Sequence, residues 1–483
     1  MQRRVWRSGW LVAGLLAVVA ASVVLAGGTQ GSAEVVLPPA SSLADAAGPG
    51  PAVTGADWPA YLHGPAHSSY AATQTLIRPA NVRRLVRKWR YAGHGFTASP
   101  AVVGGAVFIG SRSGWFYQFS AATGRILHKA FIGLRHATRC GGGGVADTAA
   151  VAADPADHQD TVYVGGPSGY LYAFAAANLA LKWKSVIAIP SSRVDYFEWS
   201  SPTVANGRVY IGVASQCDDP LVRGAVIGFS QATGKKLAEF HTVPRGVLGG
   251  SVWSSVAVAP GGDVYASTGN GVAGAPHPYH TDSIVKLSPA KLTLLGSFIV
   301  PRAQRIADGD FGGSPVIFGR DVGACDKNGI FYAIRRSTMT MAWEKRIGAA
   351  AGGGGDSQCS AAPAYAGRHL YFGGPAVTIR GRPYRGSVQE RNPADGRLVW
   401  ATGLPNGVIG SPSLDGGGVL AVGTFDSTST PNSTYLLNAA TGHINRQLVR
   451  GKAFAQSAFA SGWLFTANLT GLYAWALPAP PTS

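Results

Sequence analysis

One phrase recurs along most of this chain, and the recurrence limits the fold more than any other feature of the sequence. A Ser-Pro pair or a similar pair opens a short apolar strand, two further strands follow, and a Thr-Gly turn closes the phrase. The clearest copies run from Ala98 to Gly124 and from Ser201 to Gly234. Weaker copies begin near Val145, Ser254, Gly313, Ala361, Gly410 and Gln456. A period of about 40 to 50 residues is that of a four-stranded propeller blade.

The residues between the turns are typical of strands. Short runs alternate apolar and β-branched residues, and pairs such as Asn206-Gly207 supply hairpin turns. One such unit leaves both of its faces apolar, so the units must pack on one another, and a closed ring protects their edges. We therefore predict an all-β fold, a closed β-propeller of eight four-stranded blades. The last unit, ending at Trp475, lacks a clear fourth strand, which Val86 to Tyr91 can supply.

The two ends of the chain differ in composition from the repeats. A positively charged start is followed by an apolar run from Gly9 to Ala26, which ends in small residues, as in a secretory signal. We predict a signal peptide at 1–26, a flexible linker at 27–56, the propeller at 57–479 and a tail at 480–483. Retained uncleaved, the apolar run is long enough to be a membrane anchor. Either outcome places the protein outside the cytoplasm, secreted or associated with the cell envelope.

The charge balance is basic but diffuse. Lys and Arg number 41 against 24 Asp and Glu, yet only 13% of the residues are charged. No block of five or six like charges interrupts the repeats, so we predict no nucleic-acid groove. An excess of positive charge favours contact with acidic surfaces such as a cell envelope.

Four cysteines in an exported chain indicate disulfide bonds. Three pairings are possible. Cys140 with Cys217 and Cys325 with Cys359 are favoured because each bond then ties neighbouring repeats at their loops. One bridge and two buried thiols is the alternative.

Tryptophan residues near the Thr-Gly turns carry a resemblance to a known family. Asp395 to Trp400 preserves a degenerate copy of the turn followed by a Trp, and Trp183 and Trp343 stand at equivalent places. This pattern resembles the docking motif of the pyrroloquinoline-quinone repeat family, and the resemblance extends from Trp58 to Trp475. The family includes quinoprotein alcohol dehydrogenases and also non-enzymatic scaffolds of outer-membrane protein assembly, so the fold alone does not fix the function.

Two segments resemble the calcium ligands of the quinoproteins. An acidic residue four places before an Arg-Gly pair binds calcium in that family, and the equivalent before Arg223 is Asp219. A Thr-Gly-Asn sequence after a strand resembles the second ligand, which is Asn270 here. Carboxylate and amide oxygens suit a hard cation such as Ca²⁺.

Further residues resemble those that hold the quinone. Trp253 occupies the position of a tryptophan beneath the flat cofactor, and Lys327 precedes an Asn-Gly turn where the family has a basic residue. An indole face is a rigid apolar platform, and a cation stabilises negative charge developing on the quinone oxygens. For the carboxylates of pyrroloquinoline quinone, Ser201 is the best hydroxyl, and the available cations are Arg112, Arg135 and Arg139.

Asp282 resembles the catalytic base of quinoproteins that oxidise polymeric alcohols. The resemblance implies that Asp282 takes the alcohol proton while hydride passes to the quinone. The substrate is then an alcohol, polymeric or secondary. Because the chain has no Cys-x-x-Cys-His motif for covalent haem, electrons are expected to leave to an external acceptor.

Each of these residues also has an ordinary structural interpretation. Asn270 can be a turn residue, Asp282 can cap a hairpin, and Trp253 can belong to the core. The alternative function is a non-catalytic exported propeller that serves as a binding or scaffold module at the cell envelope. The small number of units with a docking tryptophan favours that alternative.

Overall fold

The computed structural model describes residues 56–138, 141–191, 194–272, 279–351, 358–428 and 431–479. The predicted signal peptide, the linker up to residue 55, the tail and Cys140 lie outside the described residues. Within them, helix is limited to three single 3-10 turns, at Tyr61–His63, Val82–Arg84 and Arg302–Gln304. No described helix is long and apolar enough to cross a membrane.

Two strands precede the first blade and join later ones: β1 (Tyr70–Ala71) and β2 (Val86–Tyr91). Blades one to four then follow in chain order. Blade one contains β3 (Ala101–Val103), β4 (Ala106–Gly110), β5 (Trp115–Ser120) and β6 (Ile126–Phe131), and blade two contains β9 (Ala150–Ala153), β10 (Asp160–Gly166), β11 (Tyr170–Ala175) and β12 (Leu181–Val186). Blade three contains β14 (Thr203–Ala205), β15 (Arg208–Ser215), β16 (Ala225–Ser230) and β17 (Lys236–His241), and blade four contains β18 (Ala257–Val258), β19 (Val264–Ser267), β20 (Ser283–Leu287) and β21 (Leu294–Ile299). A separate hairpin pairs β7 (Arg135–Thr138) with β8 (Gly141–Gly143), and β13 (Tyr196–Phe197) pairs with β15.

Blades five to eight repeat the arrangement. Blade five contains β22 (Val316–Phe318), β23 (Asp321–Cys325), β24 (Ile330–Arg335) and β25 (Thr340–Arg346), and blade six contains β26 (Ala364–Ala366), β27 (His369–Gly374), β30 (Gly386–Arg391) and β31 (Leu398–Leu404). Blade seven contains β32 (Ser413–Asp415), β33 (Val419–Gly423), β34 (Ser433–Asn438) and β35 (Ile444–Arg450), and blade eight contains β36 (Ala458–Ala460), β37 (Trp463–Asn468) and β38 (Gly471–Ala476). A hairpin of β28 (Val377–Ile379) and β29 (Arg382–Tyr384) is inserted in blade six. The predicted eight-bladed all-β propeller is confirmed.

The innermost strands of the blades meet around the central axis. Strand β3 is fully buried, whereas the outermost strand β6 is largely exposed. A hydroxyl near the start of one inner strand accepts a hydrogen bond from the backbone N–H of the adjoining blade. The N–H to hydroxyl pairs are Ser99 to Thr148 at 3.0 Å, Thr148 to Ser201 at 2.9 Å, Ser201 to Ser255 at 2.9 Å, Ser255 to Ser314 at 2.9 Å, Ala362 to Ser411 at 3.0 Å and Gln456 to Ser99 at 2.9 Å. These bonds explain why Ser or Thr recurs at this position of the repeat.

The blades are also joined near the rim by tryptophan on glycine. The ring of a tryptophan in one outer strand covers the Gly of the Thr-Gly turn in the next blade, and a Cβ on that Gly would overlap the ring. The pairs and the would-be Cβ distances are Trp89 and Gly124 at 2.5 Å, Trp183 and Gly234 at 2.5 Å, Trp343 and Gly396 at 2.7 Å, and Trp400 and Gly442 at 2.4 Å. Each indole N–H also donates to a backbone carbonyl of the next blade. Within the described residues, the docking motif therefore joins neighbouring blades at four places.

The ring is closed by a strand from the start of the propeller. Strand β2 pairs antiparallel with β38, so the last blade takes its outermost strand from residues that precede blade one. Val86 to Tyr91 therefore supplies the missing fourth strand, as predicted. Closure removes the edge that β38 would otherwise expose.

Residues Ala56 to Ala71, here called the axial segment, cross one end of the central channel. Backbone hydrogen bonds or strand pairing link this segment to the inner strands β3, β9, β18, β22, β26 and β32, and Ser461 after β36 donates to its first carbonyl at 2.8 Å. These contacts lie near the turns that leave the inner strands. The axial segment therefore closes the end of the channel opposite to the loops that enter those strands.

One disulfide bond joins Cys325 to Cys359, which confirms half of the predicted pairing. It links β23 of blade five to the segment that enters blade six. Cys217 is also disulfide-bonded, but its predicted partner Cys140 lies outside the described residues.

Candidate functional site

A pocket of about 580 Å³ opens at the end of the propeller where loops enter the inner strands. This volume lies within the range of ~300–1,000 Å³ that small-molecule and cofactor sites occupy. Its lining comes from blades three, four and five, with contributions from two more distant loops. The lining residues are Trp199, Ser215, Gln216, Cys217, Asp218, Ser251, Trp253, Asn270, Asp308, Asp310, Lys327, Gln358 and Phe454.

The repeat architecture brings the polar residues of the pocket together. Asp218 follows the second strand of blade three, and Asn270 and Lys327 follow the equivalent strands of blades four and five. Asp308 and Asp310 precede the inner strand of blade five. Loops that leave second strands and loops that enter first strands share one end of a blade, so the residues meet at the axis.

Three carboxylates form a cluster on one side of the pocket. One oxygen from each of Asp218, Asp308 and Asp310 lies within 4.8 Å of the other two. The Nζ of Lys327 donates to Asp310 Oδ2 at 2.9 Å and to Asp308 Oδ2 at 3.3 Å. Ser215 donates a hydrogen bond to Asp218. One lysine therefore balances three closely spaced acids.

Burial raises the pKa values of Asp310 and Asp218 in this cluster, and the charge of Lys327 offsets that effect only in part. Burial raises the pKa of Asp310 to about 7, against the opposing effect of Lys327. Burial also raises the pKa of Asp218. Burial disfavours the charge on Lys327, but Asp310 and Asp308 outweigh it and raise the lysine pKa. A bound cation would lower the pKa values of Asp218 and Asp310 and favour their ionised forms.

Two oxygen atoms at this cluster fit a hard cation. Oδ1 of Asn270 and Oδ1 of Asp310 are buried and have no hydrogen-bond partner. Buried polar atoms are almost always satisfied, so orphaned oxygens beside carboxylates indicate a missing electropositive partner. Calcium takes six to eight oxygens at ~2.4 Å, a donor type that Asp218, Asn270 and Asp310 all provide.

Aromatic rings bound the rest of the pocket. The Nζ of Lys327 lies 5.6 Å from the centre of the Trp253 ring. A Cβ on Gly312 would lie 2.8 Å from that indole, so only glycine fits against it. Trp199 stacks on Phe454 with ring centres 6.5 Å apart. The pocket thus offers flat apolar surfaces beside Lys327, a combination suited to a planar ligand.

Three of the residues proposed from the sequence line this pocket, namely Trp253, Asn270 and Lys327. Asp219 does not; it is exposed, and the adjacent Asp218 lines the pocket instead. Asp218 has a backbone φ of 63°, and this left-handed turn positions its carboxyl group next to Ser215.

Asp282 lies outside the pocket lining. It is 1% exposed and hydrogen-bonds to Asp326, whose own carboxylate accepts the backbone N–H of Asn328 at 2.8 Å. Burial raises the pKa of Asp282 to about 6, and burial and Asp282 raise the pKa of Asp326. Two adjacent buried carboxyls disfavour ionisation of each other, and Asp326 supports the turn that carries Lys327 through its bond to Asn328.

Ser201 lines a narrower channel of about 80 Å³ that shares Trp199, Trp253 and Phe454 with the pocket. Its hydroxyl accepts the backbone N–H of Thr148, which is a structural role. Arg135 is buried in an ion pair with Asp195, and Asp195 accepts the backbone N–H groups of Gln216 and Cys217. Arg139 lies outside the described residues.

Sequence reasoning missed Asp218, Asp308 and Asp310 as site residues. The available signal was Asp308-Gly309-Asp310 immediately before the Gly-Gly-Ser-Pro that opens blade five. Acidic residues at the entrance to an inner strand depart from the Ser-Pro phrase of the other repeats. Their position at the channel end makes them candidates for ligand binding.

The fold and the site define a repeat propeller with an acidic, tryptophan-floored pocket at one end of its axis. Residues 84–372 match the family described as outer membrane protein assembly factor BamB. The chain therefore belongs to this pyrroloquinoline-quinone repeat family.

Relatives of known activity match parts of the chain. Polyvinylalcohol dehydrogenase of a Pseudomonas species is 25% identical over 388 residues, covering 68% of this chain and 56% of that protein. Quinohemoprotein alcohol dehydrogenase ADH-IIG of Pseudomonas putida is 32% identical over 172 residues, covering 35% and 23%. The chain thus spans between about a quarter and somewhat over half of the length of these relatives.

The fold is shared with a solved quinoprotein structure. The crystal structure of quinohemoprotein alcohol dehydrogenase from Comamonas testosteroni superposes with a TM-score of 0.71 at 16% identity, covering 89% of this chain and 82% of that one. Identity at this level supports the propeller architecture only.

Proposed function

We propose that this protein is a quinoprotein dehydrogenase that oxidises an alcohol with pyrroloquinoline quinone and calcium and passes electrons to an external acceptor. The observation that carries the proposal is the cluster of Asp218, Asp308 and Asp310 beside the orphaned oxygen of Asn270 and the Lys327–Trp253 contact. The two named relatives are alcohol dehydrogenases, one of them a quinohemoprotein.

Six residues of the pocket have a proposed role. Asp218, Asn270 and Asp310 hold the cation, and Trp253 supports the planar cofactor. When bound, the quinone accepts the two electrons of the alcohol and the cation supplies a Lewis acid. Lys327 supplies positive charge at the quinone oxygens and is held in place by Asp308 and Asp310.

A proton acceptor for the alcohol must reach the pocket. Asp308 lines it and its side chain is 30% exposed, whereas Asp282 is buried in its pair with Asp326. We therefore propose Asp308 as the base and Asp282 as a positioning residue for the Lys327 turn. This assignment differs from the one that the family resemblance implied.

The test of the base compares two isosteric variants after reconstitution with pyrroloquinoline quinone and Ca²⁺. Asp308→Asn should lower alcohol-dependent dye reduction by about 10²–10⁴-fold, the usual contribution of a general base, and leave bound quinone visible by absorbance. Asp282→Asn should retain most of the activity. Loss of turnover in Asp282→Asn with full activity in Asp308→Asn would return the role to Asp282.

The test of the cation site uses adjacent residues as matched variants. Asp218→Ala should weaken Ca²⁺ and quinone binding together, whereas Asp219→Ala should leave both unchanged because Asp219 does not line the pocket. Isothermal titration with Ca²⁺ in the presence of the quinone measures the difference. The opposite pattern would support the spacing argument for Asp219.

The substrate class is proposed as secondary or polymeric alcohols. The support is the similarity to polyvinylalcohol dehydrogenase, which covers 68% of this chain, against 35% for quinohemoprotein alcohol dehydrogenase ADH-IIG. Dye reduction with 2-propanol and with short vinyl-alcohol oligomers should exceed that with methanol at equal hydroxyl concentration. A preference for methanol would contradict this choice.

We also propose that the protein acts outside the cytoplasm. The Cys325–Cys359 bond supports an oxidising compartment, as does the predicted signal. The second candidate function is a scaffold at the cell envelope, which the match to the BamB family favours. Failure of the purified protein to bind pyrroloquinoline quinone with Ca²⁺ would leave the scaffold as the better account.

A further inference from the structure

A second large cavity lies at the rim of the propeller, away from the axial pocket. It is a groove of about 1,200 Å³ between the β28–β29 hairpin, the outermost strand β31 of blade six and the end of β25 in blade five. The groove has room for a segment of polypeptide. The hairpin is held over β31 because the ring of Tyr384 covers Gly403, where a Cβ would lie 2.2 Å from the ring.

The described residues that line the groove give it a positive charge. They include Arg346, Arg380, Arg382 and Arg391, and none of them is Asp or Glu. None of these four guanidinium groups forms an ion pair with a carboxylate in the part of the chain that the structure describes.

Arg391 shows that this positive charge extends into the protein. It is 9% exposed. Its guanidinium donates only to neutral acceptors: Gln389 Oε1 at 2.8 and 3.0 Å, Gly396 O at 2.9 Å and Arg346 O at 3.0 Å. A buried charge without an opposite charge is unfavourable, and burial lowers the pKa of Arg391. An anion in the groove would relieve this imbalance.

Apolar side chains lie beside the arginines. Leu398 and Val399 on β31 are 45% and 52% exposed, although both line the groove. Arg382 lies over the Tyr384 ring at 5.3 Å. Strand β31 ends the order of its sheet, so its outer edge lacks a strand partner within blade six. Exposed apolar residues on a free strand edge are typical of surfaces that accept an extended peptide.

The groove is linked to the axial pocket through one short loop. Arg346 Nη1 donates to Asn328 O at 2.9 Å, and Ala351 N–H donates to Lys327 O at 2.9 Å. Gln389 Nε2 holds the intervening loop at Ile347 O, at 2.6 Å. The same backbone therefore forms a wall of the groove and a support of the Lys327 turn.

We propose that this groove binds an extended acidic segment of a partner protein, with carboxylates at the exposed Arg346, Arg380 and Arg382 and an apolar side chain over Leu398 and Val399. The charge of the lining is complementary to acidic residues. The volume of the groove, about 1,200 Å³, and its apolar strand favour a peptide over a single small anion. Binding of a peptide in this groove does not require the proposed catalytic function.

The test uses a fluorescent synthetic peptide of alternating Glu and Leu and the full-length protein in fluorescence anisotropy. The double variant Arg380→Glu/Arg382→Glu should weaken binding by about tenfold or more, since charge reversal at a complementary surface repels the peptide. The matched control is Arg125→Glu/Arg245→Glu, which changes the net charge equally at exposed arginines outside the groove. The control should bind nearly as the parent protein does.

A second pair of measurements tests the apolar part and the kind of ligand. Leu398→Ser should weaken binding of the Glu-Leu peptide but not of a Glu-Ser peptide of the same length.

Equal losses of binding in the groove variant and in the control variant would overturn the proposal in favour of non-specific charge attraction. Displacement of the peptide by citrate at equal affinity would show a small-anion site, and stronger groove-dependent binding of a DNA oligonucleotide would show a nucleic-acid site; both contradict the proposal.

Discussion

Buried carboxyl groups in this propeller have raised pKa values whether or not a cation faces them, and burial raises the pKa of both Asp310 and Asp415 to about 7. Asp310 has Lys327 at 2.9 Å, but Asp415 in blade seven has only backbone N–H partners and one buried oxygen without a partner. Asp147 and Glu198 are likewise buried, and burial together with their mutual repulsion keeps the pKa of Glu198 well above its usual range. Such acids are neutral in the folded protein over a pH range where the unfolded chain is ionised.

Asp415 predicts a measurable pH dependence of stability. Burial raises its pKa to about 7 in the folded protein, from a usual value near 3.9. The folded state then binds more protons, so stability from this group is present at low pH and falls as the pH rises from about 4 to 7. Relative to Asp415→Asn, the parent protein should lose roughly 2–3 kcal/mol between pH 5 and pH 7. Urea unfolding of both proteins at each pH measures this; parallel curves would contradict it.

A second effect at the residue scale is a loss of stability when the Ser201 hydroxyl is removed. Ser201→Ala removes the acceptor of the buried Thr148 N–H, and an orphaned buried donor costs about 1–3 kcal/mol. Thermal unfolding without cofactor should show the loss, and Ser201→Thr should largely restore stability. An alanine variant with unchanged stability but weakened quinone binding would instead support the cofactor role suggested by the sequence.

Three residues proposed from the sequence, Trp253, Asn270 and Lys327, line the pocket, but the acidic residue proposed with them does not. Spacing from an Arg-Gly pair pointed to Asp219, but the direction of a side chain in a turn depends on backbone torsions, and Asp218 takes a φ of 63°. Trp253, Asn270 and Lys327 were recognisable because each follows or precedes a strand at a fixed place in the repeat. Asp308 and Asp310 belong together with Asp218 only through contacts between blades, which no local pattern reports.

At the scale of the elements, the fold depends on how each outer strand meets the next turn. Four tryptophans cover turn glycines. At the joint between blades four and five the two positions are exchanged, because Gly296 lies in the outer strand β21 and packs against Met339 of the turn. The repeat therefore needs a small residue at the joint more than it needs a particular aromatic ring. This explains why strands and turns were predictable from degenerate copies. The β28–β29 hairpin was not, because its strands are short and mostly exposed.

The joint between blades five and six can be tested with a matched pair of glycines. Gly396 and Gly367 have φ values of 69° and 61°, but only Gly396 is covered, by Trp343 and Lys345. Alanine at either position has a strain of about 1–2 kcal/mol from the left-handed backbone. Gly396→Ala should destabilise the protein by about 1–3 kcal/mol beyond Gly367→Ala, because the added methyl displaces the indole. Equal losses in urea unfolding would contradict a role for the joint.

At the scale of the whole molecule, the ring is one polypeptide, and it is closed by the antiparallel pairing of β2, which precedes the first blade, with β38 in the last blade. Trp89 lies at this closure: its ring covers Gly124 of blade one, and it also contacts Phe465 of blade eight at 6.1 Å. Interactions across the closure should stabilise both neighbouring blades. Composition and period predicted this closure because an unpaired last blade would leave an exposed edge.

Trp89→Ala should therefore loosen two blades at once. Loss of a large aromatic contact destabilises by about 3 kcal/mol, and hydrogen exchange should rise in β3–β6 as well as in β36–β38. Trp463→Ala is the matched control, because Trp463 stacks on Phe465 within blade eight and is not a ring joint. Faster exchange confined to β2 after the Trp89 change would show that closure does not couple the blades.

The axial segment has a consequence for the synthesis of the protein. Residues Ala56 to Ala71 leave the ribosome before any blade, yet their hydrogen-bond partners are spread from Val102 in the first blade to Ser461 in the last. Trp58 and Leu62, which are fully buried in the finished protein, have no complete binding surface until the last blade is made. Contacts between residues so distant in sequence form slowly. The nascent chain must therefore keep its earliest apolar residues from aggregating until its final ones arrive.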